Sequence, residues 1–188
     1  RQNVGEISLI LGAGDLPFYY LDFMMSTLGV PTFFVYGNHG PEGLPTAPLG
    51  PLVEGCCNLD NRTAEYDGLL LAGLEGSIRY NQAPRFQYTE RQMMLKVWRL
   101  APRLWRNKVR YGRYLDILLT HSPPYGIHHG EDRAHRGFYA FLHFMRWFRP
   151  RYLIHGHQHV YRRSNATETP YADTLVINTY GYRILEWP

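Results

Sequence analysis

The chain predicts an α/β fold. A strand–helix–strand unit is written into residues 7–39, and further short apolar strands follow it, several ending in Asp, Asn or His. With 188 residues, 45% hydrophobic and 15% aromatic, there is enough chain for one compact domain with a sizeable core.

The opening unit is the clearest element. Ile7 to Leu11 and Thr32 to Tyr36 are apolar runs rich in β-branched and aromatic residues, bounded by Gly or Pro, and read as buried strands. Between them Pro17 stands where a first helical residue tolerates proline, Phe18 to Leu28 supplies the apolar helix, and Gly29-Val30-Pro31 stops it. Two parallel strands joined in this way end on the same sheet edge. Asp15 and the pair Asn38-His39 are therefore expected on one rim, where open α/β sheets bind ligands.

After a Gly/Pro-rich loop over 40–51, Leu52 to Cys57 reads as a short strand and Leu69 to Leu74 as a fully buried one. Gln87 to Ala101 carries apolar residues at helical spacing, with Pro102 expected to break or kink it. Lys96, Arg99, Arg103 and Arg106 line a neighbouring face, expected to be solvated. Tyr114 to Thr120 is a strand ending at His121, followed by a long loop of the kind that often serves function. Gly137 to Phe148 reads as a helix, and Tyr152 to His155 as a strand running into Gly156-His157-Gln158-His159. Thr174 to Thr179 and Tyr182 to Trp187 suggest a closing hairpin.

Composition narrows the function classes. No apolar run is long enough to span a membrane. The net charge of +4 and a pI near 9.1 suit anionic ligands without selecting one. The basic face near Lys96 is the only support for nucleic acid as a partner. Adjacent Cys56 and Cys57 would make a strained bridge, so two reduced thiols and a cytoplasmic location are expected.

Polar groups then gather at four strand ends: Asp15, Asn38-His39, His121, and His157 with His159. Eight of the nine histidines lie between His121 and His159. Imidazole with carboxylate suits zinc, manganese or iron better than calcium or magnesium. If the backbone over 157–159 is extended, both histidine rings there point to one side.

Gly14-Asp15, Gly37-Asn38-His39, Thr120-His121 and Gly156-His157-Gln158-His159, each after an apolar strand, resemble the motif set of the calcineurin-like metallophosphoesterases. The resemblance spans nearly the whole chain. It implies a sandwich of two mixed sheets flanked by helices, with two divalent metal ions (Mn, Fe or Zn) at the strand ends. It further implies Asp15 as the carboxylate shared by both metals, Asn38, His121 and His157 as ligands of one, and His159 as a ligand of the other. His39 would be the catalytic histidine beside the phosphoryl group. The implied reaction is hydrolysis of a phosphomonoester or phosphodiester by metal-activated water at a dinuclear site. A phosphorylated small molecule or nucleotide is the expected substrate.

Two features depart from the family pattern. None of residues 1–14 is Asp or His, so the family's opening Asp-x-His motif is missing. The expectation is one domain over 1–188 that lacks its first strand, with the motif upstream of Arg1. The alternative is a weak or inactive scaffold with an incomplete site. Gly40 stands where the family usually has an acid that would help orient its neighbours. Of the loop residues, His135 is the candidate substrate contact, and Arg79 after its strand is another. His155 is expected to face away from the metals by strand alternation.

Overall fold

The computed structural model describes residues 6–39, 56–82, 85–159 and 166–187. The expected loop over 40–51, Gly40 with it, and residues 52–55 of the expected third strand lie outside them. The elements in chain order are β1 (Ile10–Gly12), α1 (Phe18–Leu28), β2 (Thr32–Phe34), β3 (Cys56–Asn58), β4 (Thr63–Tyr66), β5 (Leu69–Leu74), β6 (Ser77–Ile78) and β7 (Gln87–Tyr88). Then come α2 (Glu90–Tyr111), β8 (Ile117–Thr120), α3 (Tyr139–Phe148), β9 (Tyr152–His155), β10 (Glu168–Tyr171) and β11 (Thr174–Asn178).

Two larger sheets stack between helices, and β6 pairs in parallel with β7 as a small third sheet. One is parallel, in the order β1-β2-β3, and the other is mixed, in the order β10-β11-β9-β8-β5-β4. β1 and β2 pair in parallel across α1, as the opening unit requires. Strand alternation sorts the side chains into layers. Leu69, Leu71, Ile117, Leu119 and Ile154 meet Ala13, Phe33 and Val35 between the sheets. Leu70, Ala72, Leu74, Leu118 and Leu153 face the other way, against α2 and α3. Phe34 and Tyr36 pack with Leu21 of α1. Strands covered on both faces are apolar throughout, which is why β5 reads as an unbroken hydrophobic run.

The helix α2 runs through Pro102 rather than ending before it. A mid-helix proline costs about 3 kcal/mol. Met93, Val97, Leu100 and Leu104 are fully buried on one face, each contributing about 1.5–3 kcal/mol, and together they outweigh that cost. The start of α2 is secured by a capping box: Thr89 Oγ1 accepts from Gln92 N, and Gln92 Oε1 accepts from Thr89 N at 2.9 Å.

Lys96 departs from the solvated face expected of it. It is 7% exposed, with Nζ 2.8 Å from Asp60 Oδ1 and 3.4 Å from Glu75 Oε1, over the ring of Tyr88. Arg99, Arg103 and Arg106 are exposed as expected. The closing hairpin is also placed differently: β11 pairs antiparallel with β10, upstream of it. Its two-residue turn puts Ala172 at φ 51 without a glycine to signal it. Tyr182 to Trp187 forms no strand. Both cysteines are free thiols.

Candidate metal centre

The strands β1, β2, β8 and β9 deliver their C-terminal ends to one rim, where the two sheets are stitched together. Val35 N donates to Gly12 O at 3.0 Å within the first sheet, and Gly156 N to His121 O at 3.1 Å within the second. Across the sheets, His121 Nδ1 lies 2.8 Å from Ala13 O. The chain can approach this closely because residue 14 is glycine. Its φ is +89, and a Cβ there would collide with the His121 ring and lie 2.8 Å from Gly37 N.

Asp15, His121 and His157 offer ligand atoms that all lie within 4.8 Å of one another. Asn38 joins them, with Oδ1 2.9 Å from His121 Nε2 and Nδ2 donating to Tyr80 Oη at 3.0 Å. Asp15 at φ 53 and His157 at φ 62 both occupy the left-handed region, sparsely populated by residues other than glycine. Such backbone geometry clusters at functional sites, where surrounding structure holds it in place.

The hydrogen bonds dictate where protons sit. Ala13 O can only accept, so His121 Nδ1 carries a proton and donates to it. His121 Nε2 faces Asn38 Oδ1 and, at 3.3 Å, Asp15 Oδ2. His157 Nε2 lies 3.0 Å from Ala134 O and must donate to it, which leaves the lone pair on Nδ1. Burial first, then the neighbouring His121, pushes the His157 imidazolium down to about 3, so the ring is neutral at ordinary pH. Burial opposes ionisation of Asp15, but His121 and the His39 N–H outweigh it, and its carboxyl titrates below the usual value. Among these groups, a carboxylate, an amide oxygen and two imidazoles converge. A cation bound between them could draw a ligand atom from each, and the mixed N/O donor set fits zinc, manganese or iron.

The other sequence candidates are placed less centrally. His39 donates its backbone N–H to Asp15 Oδ1 at 3.2 Å, while the residue itself is exposed. His159 is exposed, with its ring 4.9 Å from that of Tyr180, outside the three-residue group. The left-handed turn at His157 interrupts the extended backbone on which the expected alternation depended. His135 stacks on His157 at 4.5 Å between ring centroids and is steered by Asp132 Oδ2, 2.7 Å from its Nδ1. Arg79 reaches Gln92 Oε1 at 3.2 Å. His155 is fully buried, with Nδ1 donating to Gly156 O and Nε2 accepting from His128 Nδ1 at 3.0 Å.

Several supporting groups carry no sequence signal. Tyr80 orients the Asn38 amide across 42 residues, and the carbonyls of Ala13 and Ala134 fix two histidine tautomers. Asn178 Nδ2 donates to Gln158 O at 2.9 Å and ties down the turn that carries His157. Backbone carbonyls have no side-chain identity to read. Tyr80 lies two residues past β6 and Asn178 closes β11, positions that alone do not mark either as a partner of the site.

Known structures share the fold. Phosphopantetheinyl hydrolase from Mycobacterium tuberculosis is 14% identical with a TM-score of 0.56, over 94% of this chain and 80% of its own. TT1561 of Thermus thermophilus is 17% identical with a TM-score of 0.55, over 91% of this chain and 75% of its own. A further crystal structure, 18% identical with a TM-score of 0.55, matches 85% of this chain, which spans only 61% of that protein's length. No curated protein matches the chain significantly. The profile of the calcineurin-like phosphoesterases matches residues 4–161, and the chain belongs to that family.

Proposed function

We propose that this protein hydrolyses a phosphomonoester or phosphodiester at the rim of β1, β2, β8 and β9, using divalent ions drawn from manganese, iron and zinc. Asp15, Asn38, His121 and His157 would hold one ion, and His159 with the shared Asp15 a second. When bound, such ions supply positive charge against the phosphoryl oxygens and acidify water near neutral pH. The chain's own residues do the positioning. Ala13 O and Ala134 O each hold one ring nitrogen and keep the other aimed inward, and Tyr80 keeps the Asn38 oxygen there. The His39 N–H stabilises the ionised Asp15. The His39 ring, exposed at the rim, is assigned to the phosphoryl group or the leaving oxygen. His135 and Arg79 are assigned to substrate contact.

One observation carries this proposal: four side chains with metal-ligand chemistry, from separate strand ends, face one another, with no lysine or arginine paired to them among the described residues. The test is hydrolysis of an aryl phosphate by the full-length protein with Mn²⁺, Zn²⁺, Fe²⁺, Co²⁺ or Ni²⁺ added. Turnover that needs metal and is lost on His157→Ala is expected. Absence of turnover with all five metals would reject catalysis.

A further inference from the structure

A cavity of about 200 Å³ is lined by Ile78, Arg79, Thr89, Glu90, Arg133 and Arg136. Its arginines adjoin the rim through their sequence neighbours. Arg79 precedes Tyr80, which holds Asn38. Arg133 and Arg136 flank His135, which stacks on His157.

Arg79, Arg133 and Arg136, the last two exposed, line one small space with like charge, which favours a group that offsets it. The chain offers little that does. Glu90 is the one acid in the wall, and its two oxygens accept Ala140 N at 2.5 Å and Tyr139 N at 3.2 Å at the start of α3. Arg79 Nη2 bonds a neutral amide oxygen of Gln92, and its buried Nε has no partner. Arg136 bonds the phenols of Tyr125 and Tyr139 and lies 5.2 Å over the Tyr125 ring. Among the described residues, none of the three forms an ion pair. Planar guanidinium forks match phosphate and carboxylate oxygens in pairs, and the cavity has room for such a group.

We infer that the Arg79–Arg133–Arg136 cavity is a subsite for a second anionic group of the substrate, a phosphate or carboxylate set apart from the scissile phosphoester. This rests on the phosphoesterase function proposed above and adds a selectivity to it. The protein would favour doubly anionic substrates over simple monoesters.

Two measurements test it. In the first, the metal-free protein is titrated with orthophosphate while the arginine Nε–H signals are followed by NMR. A saturable shift of Arg79 Nε–H is expected, weakened about tenfold in Arg133→Gln and partly restored in Arg133→Lys. No saturable shift, or one unchanged in Arg133→Gln and Arg136→Gln, would overturn the subsite. In the second, Mn²⁺-supported kcat/KM is compared for phenyl phosphate, carboxyphenyl phosphate and phenylene bisphosphate. Arg133→Gln should lower the preference for the two doubly anionic substrates about tenfold, through KM. The relative size of the two losses separates a carboxylate from a phosphate as the second group. An unchanged preference would overturn the proposal, and matching melting temperatures exclude misfolding as the cause of a loss. If no substrate turns over with metal, the phosphoesterase function fails, while the phosphate titration still decides whether the cavity binds anions.

Discussion

Two polar clusters sit near the strand ends, and they handle charge in opposite ways. Beside β5, Lys96 reaches Asp60 and Glu75, Tyr88 Oη donates to Glu75, and the Lys96 Nζ lies 4.0 Å over the Tyr88 ring. That cluster supplies its own cation. On the rim, Asp15, Asn38, His121 and His157 turn ligand atoms towards one another and receive no lysine or arginine among the described residues. The first arrangement stabilises a fold, because buried charges persist when paired. The second is a poor way to stabilise a fold and a good way to hold an ion taken from solution. Removing a member should therefore damage stability in one cluster and metal binding in the other.

Asp15→Asn should have the largest effect. Charge stabilisation by a bound metal is worth several kcal/mol, so metal-dependent hydrolysis should fall at least about a hundredfold. Circular dichroism should stay unchanged, and the rise in melting temperature on adding Mn²⁺ should disappear. Loss of the folded spectrum would mean that the rim is structural after all.

Lys96→Met should do the reverse. It strands two carboxylates in a buried site and should cost about 3–5 kcal/mol in urea unfolding. The folded fraction should still take up metal.

Glu75 sharpens the contrast through pH. Burial and then the Asp60 charge raise its carboxyl from 4.5 to about 7, against the pull of Lys96. A folded-state value above the unfolded one means that the native protein binds the proton more tightly. Its stabilising share is present below pH 4.5 and is lost as pH rises through about 7. Glu75→Gln removes that titration, so the difference in unfolding free energy between wild type and variant should change by a few kcal/mol across this window. A constant difference would show that Glu75 does not titrate there.

Tyr80→Phe should be milder. It frees the Asn38 amide to rotate and should weaken metal affinity about ten- to hundredfold, the usual loss when a partner of a ligand is removed. Arg99→Ala on the exposed face of α2 should shift stability by less than about 0.5 kcal/mol and leave metal binding alone.

Much of this was legible in the chain, and the exceptions have physical causes. The unit over residues 7–39 was readable because its strands, its helix and its breakers all agree. Buried strands such as β5 announced themselves by unbroken apolar character. Asp15, Asn38, His121 and His157 could be picked out because each follows such a strand. The burial of Lys96 is invisible in the sequence because its partners, Asp60 and Glu75, lie 36 and 21 residues away, and pairing over that distance leaves no local pattern. Pro102 does not break α2, because helix propensity is local, while the burial that overrides it is tertiary. The alternation expected over 157–159 depended on extended backbone, and only the fold places His157 in a left-handed turn.

The decisive measurement is anomalous diffraction at the manganese edge from crystals soaked in Mn²⁺. A peak within bonding distance of Asp15, Asn38 Oδ1, His121 Nε2 and His157 Nδ1 is the expected result. A map with manganese elsewhere and none among these four side chains would contradict the assignment of the rim as a metal centre.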